Sequence, residues 1–148
     1  NNDLRIGPFI FYEKNIGNYI SLPKNENWQI ERVLDLFDSE KTKKITLATE
    51  HQYFNINTLL YHKKLGRHPN LNLTTVSYNK GVFRKQEIQK TLSDSDYVIF
   101  KAGGELGPRD LNRNFDLIYD LIKTWPQIRN NIVFPDGGTL IIAKNADK

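Results

Sequence analysis

The chain has 148 residues, enough for one domain with a single hydrophobic core, and no linker or internal repeat divides it. Its 39% hydrophobic and 26% charged residues are ordinary for a globular protein, and 21 basic against 17 acidic residues leave a net charge of +4. Cysteine is absent, which excludes disulfides, thiolate metal sites and cysteine nucleophiles, and no apolar run approaches the ~20 residues that span a bilayer.

Methionine is also absent, even at position 1, so the chain reads as a fragment or a processed form whose leader is missing. Any membrane spans of a parent protein would then lie outside it. The lack of a free thiol suits an extracytoplasmic location. Lys41, Lys43 and Lys44 form one small basic cluster, and elsewhere the two signs intermix. This reads as a solvated surface, with a weak attraction to anionic lipid headgroups as the alternative. A nucleic-acid footprint needs a basic stripe interleaved with exposed aromatics, so nucleic acid is not an expected partner.

Residues 1–22 are irregular and rich in aromatics, with Pro8–Tyr12 as a possible short strand and Gly7, Pro8 and Gly17 breaking any helix. They could follow a transmembrane span. Residues 23–148 read as one α/β domain. It opens with a turn over Pro23–Asn27, where Asn25 or Asn27 can cap a helix over Trp28–Phe37. Trp28, Val33, Leu34 and Phe37 form that helix's apolar side, and Glu31, Arg32 and Asp35 lie on another face. A strand over Lys44–Thr49 opens into Glu50-His51-Gln52. A helix over Phe54–Leu65 follows, with Ile56, Leu59, Leu60 and Leu65 as its buried stripe and Gly66 as its stop.

The next strand, Leu71–Tyr78, alternates in polarity and belongs nearer an edge. A third helix over Val82–Leu92 carries Val82, Phe83, Ile88 and Leu92. The strand over Asp96–Lys101 holds Tyr97, Val98, Ile99 and Phe100 in succession, which suits the centre of a parallel sheet. A glycine-bearing loop, Ala102–Pro108, leads to a last helix over Asn114–Trp125, with Asp110 or Asn112 as its cap and Pro126 as its stop. Ile132–Phe134 and Leu140–Ala143 flank Pro135-Asp136-Gly137-Gly138, a hairpin signal. Strands alternating with helices predict a three-layer, Rossmann-like α/β domain, mostly parallel, with a C-terminal antiparallel hairpin.

In open parallel sheets ligands bind outside the carboxyl ends of the strands. Those ends here are Glu50–Gln52, Asn79–Gly81 and Lys101–Pro108. A ligand site, if there is one, is therefore expected around Glu50, His51, Lys101, Gly103, Gly104 and Arg109. The glycines permit close backbone approach, and Lys101 and Arg109 could meet a phosphate or an acidic sugar. The loop matches neither the dinucleotide fingerprint nor a phosphate loop, so Gly103, Gly104 and Gly107 could equally serve turns with positive φ. Glu50 and His51 could act as acid and base if a partner approached, but neighbouring side chains at a strand end usually point apart. Three histidines, at 51, 62 and 68, lack the spacing of a metal site. Asn72-Leu73-Thr74 fits a glycosylation sequon, a triplet common by chance. Neither a nucleophile motif nor a cofactor fingerprint is present, so no catalytic residue, metal or cofactor is assigned.

The stretch Ser21–Leu36, SLPKNENWQIERVLDL, resembles the start of the soluble C-terminal domain of prokaryotic multi-spanning membrane glycosyltransferases related to dolichyl-phosphate-mannose–protein mannosyltransferases. Further points of similarity are Phe54-Asn55 before Leu59-Leu60-Tyr61, Ser95–Ile99 leading to Lys101 and the glycine loop, and Leu140–Ile142 after the Pro135-Asp136-Gly137 turn. The resemblance covers most of Ser21–Lys144 and rests on structural motifs. It implies an extracytoplasmic accessory domain of an enzyme that uses a polyprenyl-phosphate sugar donor. Its partners would be the membrane-embedded part of the same polypeptide and a glycan or protein acceptor. In that family the catalytic acidic residues lie in loops between spans, so none is carried onto this chain. The alternatives are a stand-alone Rossmann-like enzyme such as a methyltransferase, and a plain interaction module. Against the enzyme, Thr49-Glu50-His51-Gln52 offers no glycine-rich turn to a nucleotide cofactor.

Overall fold

The computed structural model describes residues 4–6, 9–11, 27–66, 68–76, 85–105, 107 and 112–148. The elements are β1 (Leu4–Ile6), β2 (Phe9–Phe11), α1 (Ile30–Asp35), β3 (Lys43–Leu47), α2 (Ile56–Gly66), β4 (Leu71–Thr75), α3 (Lys85–Asp94), β5 (Tyr97–Ala102), α4 (Phe115–Ile122) and β6 (Thr139–Lys144). β1 and β2 pair antiparallel as a separate two-stranded sheet. The main sheet has four strands in the order β4-β3-β5-β6. β3 pairs parallel with β4 and β5, and β6 runs antiparallel to β5. The protein is thus an α/β fold with a mixed sheet.

β5 is interior, as its uninterrupted apolar run predicts, and β4 takes the edge that its alternating polarity fits. Alternation along the strands sorts side chains into two clusters. Ile45, Leu47, Ile99, Leu140 and Ile142 pack with Ile30, Val33 and Leu34 of α1 and Leu59 of α2. Val98, Phe100 and Ala143 pack with Ile88 and Leu92 of α3 and Ile118 and Ile122 of α4. Fully burying each such aliphatic side chain is worth about 1.5–3 kcal/mol. Thr46, also fully buried, spends its hydroxyl on Ser95 Oγ at 2.6 Å, and Ser95 donates in turn to Thr91 O.

Several local expectations change. α1 begins at Ile30, two residues later than predicted, because Gln29 sits in the left-handed region at φ 54°. Asn27 does not cap the helix; its Oδ1 accepts the Gln29 N–H at 2.8 Å and so fixes that bend. Asn25, Val82, Phe83 and Asp110 lie outside the described residues. Leu60 and Leu65, expected in the buried stripe of α2, are 41% and 61% exposed. The helix turns Leu59 into the core, and Leu60 and Leu65 follow the outer face with Asn57, Tyr61 and Lys64. The Ile132–Phe134 arm of the hairpin is not a full strand. It contributes one bridge, Val133 to Thr139, together with the Phe134 N–H to Gly138 O bond, while β6 takes β5 as its ladder partner. On the side away from the turn the Asn130 side chain donates to Leu140 O and accepts the Ile132 N–H, and so interrupts a longer backbone ladder.

Candidate functional site

The chain passes from β3 through α2 to β4 on one side, then through α3 back to β5 on the other side of β3. The carboxyl ends of β3 and β5 therefore diverge into connections on opposite faces, the place where open α/β sheets form a crevice. A cavity of about 490 Å³ lies there, with Thr49, Glu50, His51, Lys101, Glu105 and Asn112 in its wall. Arg113, Phe115 and Asp116, from the approach to α4 and its first turn, complete the far side.

Lys101 is the hub of this wall. It is the last but one residue of β5, and its side chain is only 3% exposed. An ammonium has three N–H groups. Here Nζ reaches Asp136 Oδ2 at 2.6 Å, Gly103 O at 2.7 Å and Glu105 O at 2.7 Å. Asp136 is brought alongside because β6 pairs with β5, setting Thr139 opposite Ala102. Its Oδ2 also accepts the Glu105 N–H at 2.8 Å, and its Oδ1 accepts the Gly138 N–H at 3.0 Å. Burial alone would raise the Asp136 carboxyl, but Lys101 and the N–H groups of Gly138 and Glu105 outweigh it and hold the group below its ordinary value of 3.8.

The glycines make room for this knot. Gly103 and Gly104 take φ of 72° and 65°, the backbone option their sequence allows. A Cβ on Gly104 would stand 2.6 Å from Asp136 Oδ2, and one on Gly107 would stand 1.8 Å from the Glu50 carbonyl oxygen. Gly107 thus lets the loop close onto the end of β3. Asn112 holds the same point from the other side: its Oδ1 accepts the Glu50 N–H at 2.7 Å and its Nδ2 donates to Glu50 O at 2.8 Å. The sequence offers Asp110 or Asn112 as the cap of the last helix. Instead the Asn112 side chain bridges to the Glu50 backbone beyond β3, and Asn114, at the cap position, makes no side-chain cap bond.

The predicted neighbours Glu50 and His51 do face different ways. The Glu50 carboxylate turns toward α2 and β4, accepting the Ile56 N–H at 3.1 Å and the Thr75 hydroxyl at 3.0 Å. It therefore satisfies an orphan donor at the start of α2. The His51 ring stacks on Trp28 with centroids 4.7 Å apart. Its Nδ1 accepts the Tyr53 N–H at 3.3 Å, which leaves the proton of the neutral ring on Nε2. Burial lowers the His51 imidazole below its ordinary value of 6.5, the Lys101 charge lowers it further, and Asp136 and Glu105 offset part of this.

Glu50, His51, Lys101, Gly103 and Gly104 are thus gathered at one rim, whereas Arg109 lies outside the described residues. Asp136 and Asn112 are the residues that the sequence reading missed in this role. The Asp136-Gly137-Gly138 run has the form of a hairpin turn, and only the β5–β6 pairing reveals its second role beside Lys101. Among the described residues no group of three or more His, Asp or Glu side chains converges as metal ligands. Glu31 instead links the two helices through His62 Nδ1 at 2.7 Å. Among the described residues no helix is long and apolar enough to cross a membrane. Comparison with protein-family models, with curated proteins and with solved structures finds no match to this chain.

Proposed function

We propose that the chain is a non-catalytic, extracytoplasmic accessory domain of a membrane glycosyltransferase that uses a polyprenyl-phosphate sugar donor. Its three-layer, Rossmann-like architecture presents the rim between β3 and β5 either to a glycan or protein acceptor or to the membrane-embedded part of the same polypeptide. The placement in that enzyme class rests on the resemblance over Ser21–Lys144. The layered architecture is supported by the two separate clusters on the sheet, one under α1 and α2 and one under α3 and α4.

One observation carries the non-catalytic reading: Lys101 and Glu50, the buried charged groups of the cleft wall, are spent on the fold. Lys101 has three acceptors and Asp136 has three donors. Glu50 holds the start of α2 and the end of β4. General acids, general bases and anion clamps need a free lone pair or proton aimed at substrate. Groups already locked in this way can shape a binding rim, and recognition then falls to Arg113, Phe115 and Asp116 on its open side.

The test is an amide-shift titration of the isotope-labelled chain with sugar phosphates and oligosaccharides, run beside an assay with polyprenyl-phosphate sugar and acceptor. The reading expects no turnover by the chain alone. Shifts confined to Gly103, Gly104 and their neighbours would make the rim an acceptor pocket, and silence at millimolar ligand would make it a docking surface. Turnover, or shifts centred on Lys41–Lys44, would overturn the reading.

A further inference from the structure

α2 is apolar on two faces. Leu59 is fully buried, and Leu60, Tyr61 and Leu65 are 41%, 61% and 61% exposed. With Asn57 and Lys64 these three occupy positions i, i+3, i+4, i+7 and i+8, one continuous outer stripe. An amphipathic surface helix is polar on its outer face, so a second apolar stripe needs a cover. The helix carries Lys63 and Lys64 in its last turn and no acidic residue anywhere. Beside the stripe, Leu60, Lys63, Lys64, His68 and Pro69 line an open depression of about 540 Å³. His68, itself 5% exposed, has Nδ1 buried there without a hydrogen-bond partner.

We propose that this face of α2 is a docking surface for an anionic phospholipid membrane. Leu60, Tyr61 and Leu65 enter the boundary between headgroups and acyl chains, where tyrosine's apolar ring and polar tip are both accommodated. Lys63 and Lys64 meet the lipid phosphates from the depression alongside, their stems covering apolar surface while the ammonium groups stay with the headgroups. The pairing of an apolar stripe with cations favours a lipid surface over a second copy of the chain, whose α2 would bring the same two lysines into repulsion. The inference stands apart from the reading of the cleft, since it involves no residue of that rim and no sugar.

The experiment is co-sedimentation of the chain with vesicles of phosphatidylcholine alone and of phosphatidylcholine and phosphatidylglycerol in equal parts, with soluble glycerol phosphate as competitor. The chain should partition onto the mixed vesicles and lose binding as salt is added. Lys63→Gln and Lys64→Gln should each weaken binding about fivefold. Tyr61→Ser and Leu65→Ser should each weaken it about tenfold, because they remove the inserted area. All four positions lie on the outer face or rim of α2, so melting temperatures should be retained, and that control separates lost docking from lost fold. Equal binding to phosphatidylcholine alone would overturn the proposal. So would full competition by glycerol phosphate, or variants that change only the oligomeric mass.

Discussion

His51 and Asp136 make the acid sensitivity of the cleft a matter of two groups. Both are held below their ordinary values in the folded chain, His51 first by burial and then by the Lys101 charge, Asp136 because its hydrogen bonds outweigh burial. For His51 the unfolded chain takes up the proton first as pH falls below 6.5, so stability declines from there until the folded imidazole titrates. For Asp136 the contribution is present above 3.8 and is lost as pH falls through the lowered folded value. Urea unfolding at steps between pH 7.5 and 5 should therefore show falling stability, and His51→Phe, which keeps a ring against Trp28, should flatten that slope. An unchanged slope in the variant would mean that His51 is not the group responsible. The role of Gly107 was open at this level: the sequence offers a glycine, but only the 1.8 Å approach of a hypothetical Cβ to the Glu50 carbonyl says why.

The interior strand β5 is the best-marked element, because burial on both faces leaves a continuous apolar signature. Tyr97–Phe100 reads as an interior strand from composition alone, and β5 lies between β3 and β6. Ile99 is 1% exposed and belongs to the cluster beneath α1 and α2. Ile99→Asp should cost several kcal/mol, lowering Tm by more than about 10 °C or preventing folding. A melting curve like that of the parent chain would contradict the interior placement. Helix faces were less readable. In α2, leucine at 59, 60 and 65 gives periodicity no means to decide which face turns inward, and contact with α1 and β4 decides it. Asn112 shows the same limit: a polar residue just before a helix suggests a cap, but the Glu50 backbone, just beyond β3, claims its amide.

The strand order brings together the ends of β3 and β5, the glycine loop and the turn before β6, segments more than 30 residues apart in places. The sequence could point to this rim because parallel strands end on one edge, a property of topology alone. It could not show that Lys101 is paired within the rim, since the Lys101–Asp136 pair depends on β6 returning antiparallel beside β5. A pair this sheltered is costly to break from one side: about 3–5 kcal/mol for removing either partner, because the other is left buried and uncompensated. Removing both leaves no uncompensated charge.

A double-mutant cycle on this pair tests most directly whether the cleft wall serves the fold. Equilibrium unfolding of Lys101→Met, Asp136→Leu and the double variant should give single losses of about 3–5 kcal/mol each. The double loss should fall short of their sum by at least ~2 kcal/mol. Single losses below about 0.5 kcal/mol, or losses that simply add, would contradict the account and free Lys101 for a ligand.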